Sequence, residues 1–186
     1  AQQREKLGVP IVLFTYYNPI LSVGPEKFAE QAATSGVDGV LCVDLPPEEG
    51  EAELVPLLAE RGVDAIFLLA PTSTRERIKR VERASSGFVY YVSRTGVTGR
   101  RGQAMGVLRQ VKKLRRQVRL PVALGFGISD PRQVAAVARV ADAVVVGSAL
   151  VRLVEEHAGA PDLEELLEAE VRRLSAPLRP ARDGDG

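Results

Sequence analysis

The sequence predicts an α/β fold built on parallel strands, and three observations carry that expectation. Short apolar, β-branched runs recur along the 186 residues, a turn of Gly, Pro, Ser, Thr or Asp follows each run, and each turn leads into an amphipathic stretch. Strands that alternate with helices demand parallel pairing, because each strand must be reached by a crossover. The runs are nearly all apolar, as strands covered on both faces are.

The elements follow in order. Ala1 to Leu7 reads as the end of a helix. Pro10 to Thr15 is the first strand, and the stretch Pro25 to Ser35 is a helix with Pro25 in its first turn, where a missing N–H costs nothing. Gly39 to Val43 and Val63 to Leu69 are strands, separated by a helix over Glu48 to Arg61. Ser73 to Ala84 is a helix with Ser73 as N-cap, and Phe88 to Val92 is the fourth strand. Ala104 to Val118 and Asp130 to Arg139 are strongly amphipathic helices, the second capped by Asp130, and Pro121 to Leu124 is the strand between them. Ala143 to Val146 is the sixth strand, followed by a short helix over Ala149 to His157 and a closing one over Asp162 to Leu174. Residues 1–175 are read as one domain, and 176–186, rich in Pro, Arg, Asp and Gly, as a disordered tail.

Six βα units are too few for a closed eight-stranded barrel of about 250 residues. Either the sheet is open and doubly wound, or two units that belong before Ala1 are absent.

Apolar residues make up 45% and charged residues 26% of the chain, which suits a globular unit with a sizeable core. The 25 basic and 24 acidic residues leave a net charge of +1, spread along the sequence. No field of one sign exists to hold a nucleic acid or an anionic membrane, so the expected partner is a small ligand or a protein. No run reaches the roughly 18 to 20 apolar residues of a membrane helix, and Ala1 opens no signal pattern. With one cysteine, Cys42, and one histidine, His157, neither an internal disulfide nor a Cys/His metal site is available, and a reducing cytoplasm is expected. Cys42 should be inert core and His157 a surface residue.

Chemistry is expected just beyond the C-terminal ends of the strands. The last two junctions place Gly125, Gly127, Gly147 and Ser148 beside helix starts, where backbone N–H groups and the helix dipole favour an anion. Glycines that merely make tight turns are the plain alternative. Ser93 to Gly102, with Arg94, Arg100 and Arg101, suits a lid over a phosphorylated ligand or an ordinary solvated loop. Asp44 follows a buried run and should stand at the strand ends, where it could accept a hydrogen bond or act on a proton; capping the helix near Glu48 is its structural alternative. Tyr90 and Tyr91 should point to opposite faces of their strand, and Tyr16 and Tyr17 likewise. Phe14, Leu41, Phe126 and Val145 could line a flat apolar slot, or simply pack the core.

ProIleValLeuPheThrTyrTyrAsnPro, AspLeuProProGluGlu, SerArgThrGlyValThrGly, GlyPheGlyIleSer and GlySerAlaLeuVal occur in this order. In order and spacing they resemble the tryptophan synthase alpha chain family, over about Leu7 to Leu174. The resemblance implies a phosphate-binding (β/α)₈ TIM barrel, present here as about six of eight βα units. It implies a lyase of tryptophan biosynthesis that cleaves indole-3-glycerol phosphate to indole and glyceraldehyde 3-phosphate. No cofactor is implied for the chain itself, since PLP belongs to a beta chain, the partner in an α₂β₂ tetramer, met through the region of Asn18, Pro19 and Pro46. Carried over by position, Asp44 matches the aspartate that hydrogen-bonds the indole N–H. Gly99, Gly127, Gly147 and Ser148 match phosphate-binding positions, Thr98 a lid residue, and Tyr90, Phe14, Leu41, Phe126 and Val145 the indole-facing set.

The family's general acid/base glutamate ends a strand that would precede Ala1, and Glu48 and Glu49 do not match it. The expectation is therefore a chain with the family's activity class but little or none of the activity alone, with bare strand edges at Pro10 and Ala143 that leave it poorly soluble or oligomeric. The alternatives are a non-catalytic activator of a beta chain, or another phosphate-binding barrel enzyme; the latter would need a lysine or metal-binding His/Asp at the strand ends, and the six junctions supply none.

Overall fold

The computed structural model describes residues 4–92, 101–125 and 127–178, with side chains at all of these except 5 and 101–104. The chain divides into two compact units, Ala1–Tyr90 with Val118–Pro121 and Tyr91–Gln117 with Val122–Gly186.

The first unit opens with a 3₁₀ turn at Arg4–Lys6 where the sequence suggested the end of a longer helix. Strand β1 (Val12–Thr15) leads through helix α1 (Tyr17–Val23) and α2 (Pro25–Thr34) to β2 (Gly39–Cys42). Helices α3 (Pro47–Glu53) and α4 (Val55–Ala59) connect β2 to β3 (Asp64–Ile66) and β4 (Leu68–Leu69), and α5 (Arg75–Ala84) follows. β1, β2 and β3 pair in parallel in that order, with Phe14, Leu41 and Ile66 in register. All four residues of β2 are buried, which is why its sequence is uniformly apolar rather than alternating. The outer strand β1 alternates between half-buried and exposed residues.

Three departures from the sequence reading have identifiable physical causes. The run Val63 to Leu69 is two strands, because Phe67 leaves the ladder with β2 and gives its carbonyl to the Tyr90 N–H at 3.1 Å. The helix expected over Glu48 to Arg61 is broken at Leu54, where Pro56 starts a new first turn and brings no N–H of its own. Ser73 is not the cap of α5; Thr74 accepts from the Arg77 N–H, while Ser73 Oγ accepts from the Ala70 N–H.

The second unit holds the last two residues of β5 (Val89–Val92), which begins in the first, then α6 (Arg101–Leu114), β6 (Val122–Gly125), α7 (Pro131–Ala138), β7 (Ala143–Val145), α8 (Ser148–Glu156) and α9 (Leu163–Ser175). β6 and β7 pair in parallel with Gly125 opposite Val145. β6 is buried throughout, whereas β7 is exposed or half-buried along its length. Val144 and Val146 face a hollow of about 170 Å³ that α9 also lines through Val171 and Leu174, so Val145, between them, faces the other side of the sheet. Ala176–Leu178 form a 3₁₀ turn where the tail was expected to begin, and 179–186 lie outside the described residues. His157 ends α8, half-buried, its ring Nδ1 3.1 Å from the Leu153 carbonyl.

Near the N-terminal ends of the strands, side-chain oxygens take strand amides. Asp38 Oδ2 accepts from Ile11 N–H at 2.7 Å, Ser86 Oγ from Ala65 N–H at 3.0 Å, and Asp142 Oδ2 from Val122 N–H at 3.0 Å. Asp142 also pairs with Arg115 at 2.7 Å. Val122 is fully buried, so its amide has no water to turn to. Asp142→Ala should therefore cost about 1–3 kcal/mol, the desolvation of one orphaned amide, seen as a lower urea midpoint; an unchanged midpoint would show that the carboxylate is dispensable.

Candidate functional site

In the first unit the C-terminal ends of β1 and β2 meet at Asp44. The chain leaves β2 through Val43 and Asp44, and the exposed Asp44 carboxylate turns toward α1. Its Oδ1 accepts from the Tyr17 N–H at 2.7 Å, and the Cys42 thiol lies 3.4 Å from the same oxygen. Asp44 thus serves as a cap for α1, supplied from 27 residues away, and not for the helix at Glu48, whose N-cap Pro46 offers no side-chain bond. Burial, then the neighbouring Asp44, pushes the Cys42 thiol up to about 12, so it stays protonated and unreactive.

Tyr16 and Tyr17 do not split across a strand as expected: Tyr16 precedes α1 and Tyr17 is its first residue. The Tyr17 phenol donates to Glu53 Oε2 at the end of α3. Burial first, then Glu53, pushes that phenol up to about 12. The Tyr17–Glu53 bond was not legible in the sequence, because a contact between a helix start and a helix end 36 residues on leaves no periodic trace.

Within β5 the two tyrosines do take opposite faces. The Tyr91 hydroxyl donates to Gln110 Oε1 of α6 at 3.0 Å, and burial pushes it up to about 12. Tyr90 lies edge-to-face with Phe14, ring centroids 6.1 Å apart at 76°, a favoured aromatic geometry. Burial raises its phenol as well. Phe14 is in register with the buried Leu41, so these two share one face of their sheet, and Tyr90 of β5 meets that face at Phe14, which is 61% exposed.

The two glycine turns of the second unit are unlike each other. Gly127 has φ +67, a conformation that only glycine adopts readily. It does not sit at a helix start, however; α7 begins four residues later, at Pro131, and Asp130 and Gln133 close its first turn with a capping box. At the other turn, α8 starts directly after Gly147, which brings no side chain to cap it. A Cβ built on Gly147 meets nothing within 4 Å, and Ser148 is exposed. The Ser148 and Ala149 amides have no carbonyl within their own helix, while the Leu150 amide donates to the Gly147 carbonyl at 2.9 Å, so this turn offers N–H groups, a hydroxyl and a positive dipole end to an anion. Thr98, Gly99 and Phe126 lie outside the described residues, as does the loop Ser93 to Arg100.

Asn18 and Pro19 are exposed in the first turn of α1, and Pro46 is half-buried ahead of α3. Glu48 pairs with Arg80; its own backbone amide, then Arg80, holds its carboxyl below the usual range. Among the described residues no group of three His, Cys, Asp or Glu side chains converges as a metal site, and no helix is long and apolar enough to cross a membrane.

The family model described as "Tryptophan synthase alpha chain" matches residues 1–178. The tryptophan synthase alpha chain of Geotalea daltonii is 52% identical over 174 residues, covering 93% of this chain and 65% of the relative. That of Geotalea uraniireducens is 51% identical over 177 residues, covering 95% and 66%. The chain thus spans just under two thirds of the length of these relatives. Among solved structures, the tryptophan synthase complex of Pyrococcus furiosus superposes with a TM-score of 0.82 at 35% identity, covering 94% of this chain and 69% of that one. A second Pyrococcus furiosus structure, described as showing mutual activation of the tryptophan synthase α₂β₂ complex, gives 0.83 at 36%, covering 94% and 70%. The α/β class with parallel strands, of the TIM-barrel type, is therefore the class of both the chain and its structural neighbours.

Proposed function

This chain belongs to the tryptophan synthase alpha chain family, and from that premise we propose that it binds indole-3-glycerol phosphate, the substrate that a lyase of this family cleaves to indole and glyceraldehyde 3-phosphate. The observation that carries the reading is the uncapped start of α8 at Gly147 and Ser148. A phosphate placed there accepts from helix amides and the serine hydroxyl, and its charge meets the positive end of α8. Gly127 contributes an amide from the neighbouring turn, and Gly99 belongs to the same set. In the first unit, Phe14, Leu41 and Tyr90 present an apolar surface suited to an indole ring.

Asp44 could meet the indole N–H only through Oδ2, since Oδ1 is occupied by Tyr17. Its first role in this reading is to hold α1 in place. The alpha-chain chemistry as such needs no cofactor; PLP would belong to a beta chain, proposed as the partner because a solved neighbour is an α₂β₂ complex. That chain would meet the exposed Asn18 and Pro19 on α1, with Pro46 beside them. Residues 1–186 are proposed to bind the substrate without turning it over.

Calorimetry tests the phosphate site directly. Glycerol 3-phosphate should bind the chain and compete with inorganic phosphate, while glycerol should not bind. Equal heats from glycerol and glycerol 3-phosphate, or none from either, would refute the reading.

A further inference from the structure

We propose that Tyr17 is a positioning residue: it ties α1 to both ends of the segment that follows β2, and so presents the surface around Asn18 and Pro19 in one fixed arrangement. The inference rests on the reading that a beta chain docks there. Tyr17 makes two bonds into that segment from opposite ends of the residue. Its N–H donates to Asp44 Oδ1, just beyond β2, and its phenol donates to Glu53 Oε2, at the end of α3.

Besides its packing against α2, little among the described residues holds α1. It has seven residues, and an isolated helix shorter than about 12–15 residues is marginal in water. Tyr16 at its N-cap position gives no side-chain bond, and Ile20 is its buried residue. Leu21 and Val23 are 51% and 42% exposed. One buried side chain fixes where a helix touches the protein but leaves it able to pivot; a second fastening point at its first residue removes that freedom. The phenol keeps its proton through the neutral range, with burial and Glu53 holding it up at about 12, so its bond to Glu53 persists across the pH range in which a partner would bind. Asp44 is steadied in turn by the Cys42 thiol on the same oxygen.

Hydrogen exchange of the amides in 17–23 and the Kd for a purified tryptophan synthase beta chain test this on the full 186-residue chain. Tyr17→Phe keeps the ring and the N–H bond to Asp44 but removes the phenol bond; Glu53→Gln keeps an acceptor oxygen for it. Tyr17→Phe should raise α1 exchange and weaken beta-chain binding by about fivefold to tenfold, the size of one lost hydrogen bond, with β2 and β6 amides unchanged. Glu53→Gln should behave as wild type in both. Unchanged α1 exchange in Tyr17→Phe, exchange raised equally across β2, or unchanged beta-chain affinity overturns the proposal. If the wild-type chain binds no beta chain while Tyr17→Phe still frees α1, the docking reading fails and the fastening of α1 stands.

Discussion

Incubated with indole-3-glycerol phosphate, residues 1–186 should release no indole above a buffer control, even at ligand concentrations that saturate binding. Cleavage requires a proton delivered to the indole ring and another taken from the glycerol hydroxyl, and a side chain placed for such transfers commonly contributes about 10² to 10⁴ in rate. Three carboxylates near the strand ends of the first unit already have partners. Glu48 pairs with Arg80 and is held ionised, Glu53 accepts from the Tyr17 phenol, and Asp44 caps α1. Asp38 lies at the opposite end of the strands, on the Ile11 amide. A general acid working near neutral pH needs its pKa raised by burial or a like charge, whereas Glu48 is shifted the other way, below the usual carboxylate range. The thiol of Cys42 and the phenols of Tyr17 and Tyr91 sit at about 12, too high to act as bases. A time course of indole release, run beside a binding isotherm for the same preparation, checks this. Turnover that disappears in Asp44→Asn would overturn it and make Asp44 the proton-transfer group.

Much of this was legible in the sequence because it depends on local pattern. The uniform burial of β2 and β6 shows as unbroken apolar runs, the start of α7 shows as Asp130 before Pro131, and the Gly147-Ser148 turn shows as a strand end meeting an apolar helix. What was not legible depends on distant groups. TyrAsnProIleLeuSerVal has a proline in its third position and no N-cap of its own, so nothing local announces α1; the cap arrives from Asp44 once β1 and β2 are in register. The break at Phe67 is likewise decided by the Tyr90 amide, not by propensity. Gly127 misled for the opposite reason: a glycine beside a strand end suggested a helix start, but its left-handed backbone turns the chain before Asp130 takes over the cap.

Ser148→Asp separates a ligand site from a structural turn more sharply than any truncation, because it should push stability and binding in opposite directions. Ser148 is the first residue of α8, and an acidic side chain there favours the helix by about 0.3–1 kcal/mol. The melting temperature should hold or rise. The same carboxylate would stand within about 4 Å of a bound phosphate, where like charges repel by roughly 2–4 kcal/mol at the effective dielectric of a protein surface. Affinity for glycerol 3-phosphate should then fall by about 30-fold to 1,000-fold, and the loss should shrink at high salt because the site is exposed. Ser148→Ala removes a hydroxyl and adds no charge, so its loss should stay within about tenfold. If the turn is merely a tight connection, Ser148→Asp gains the same helix stability and loses no binding, and the phosphate assignment at α8 fails with it.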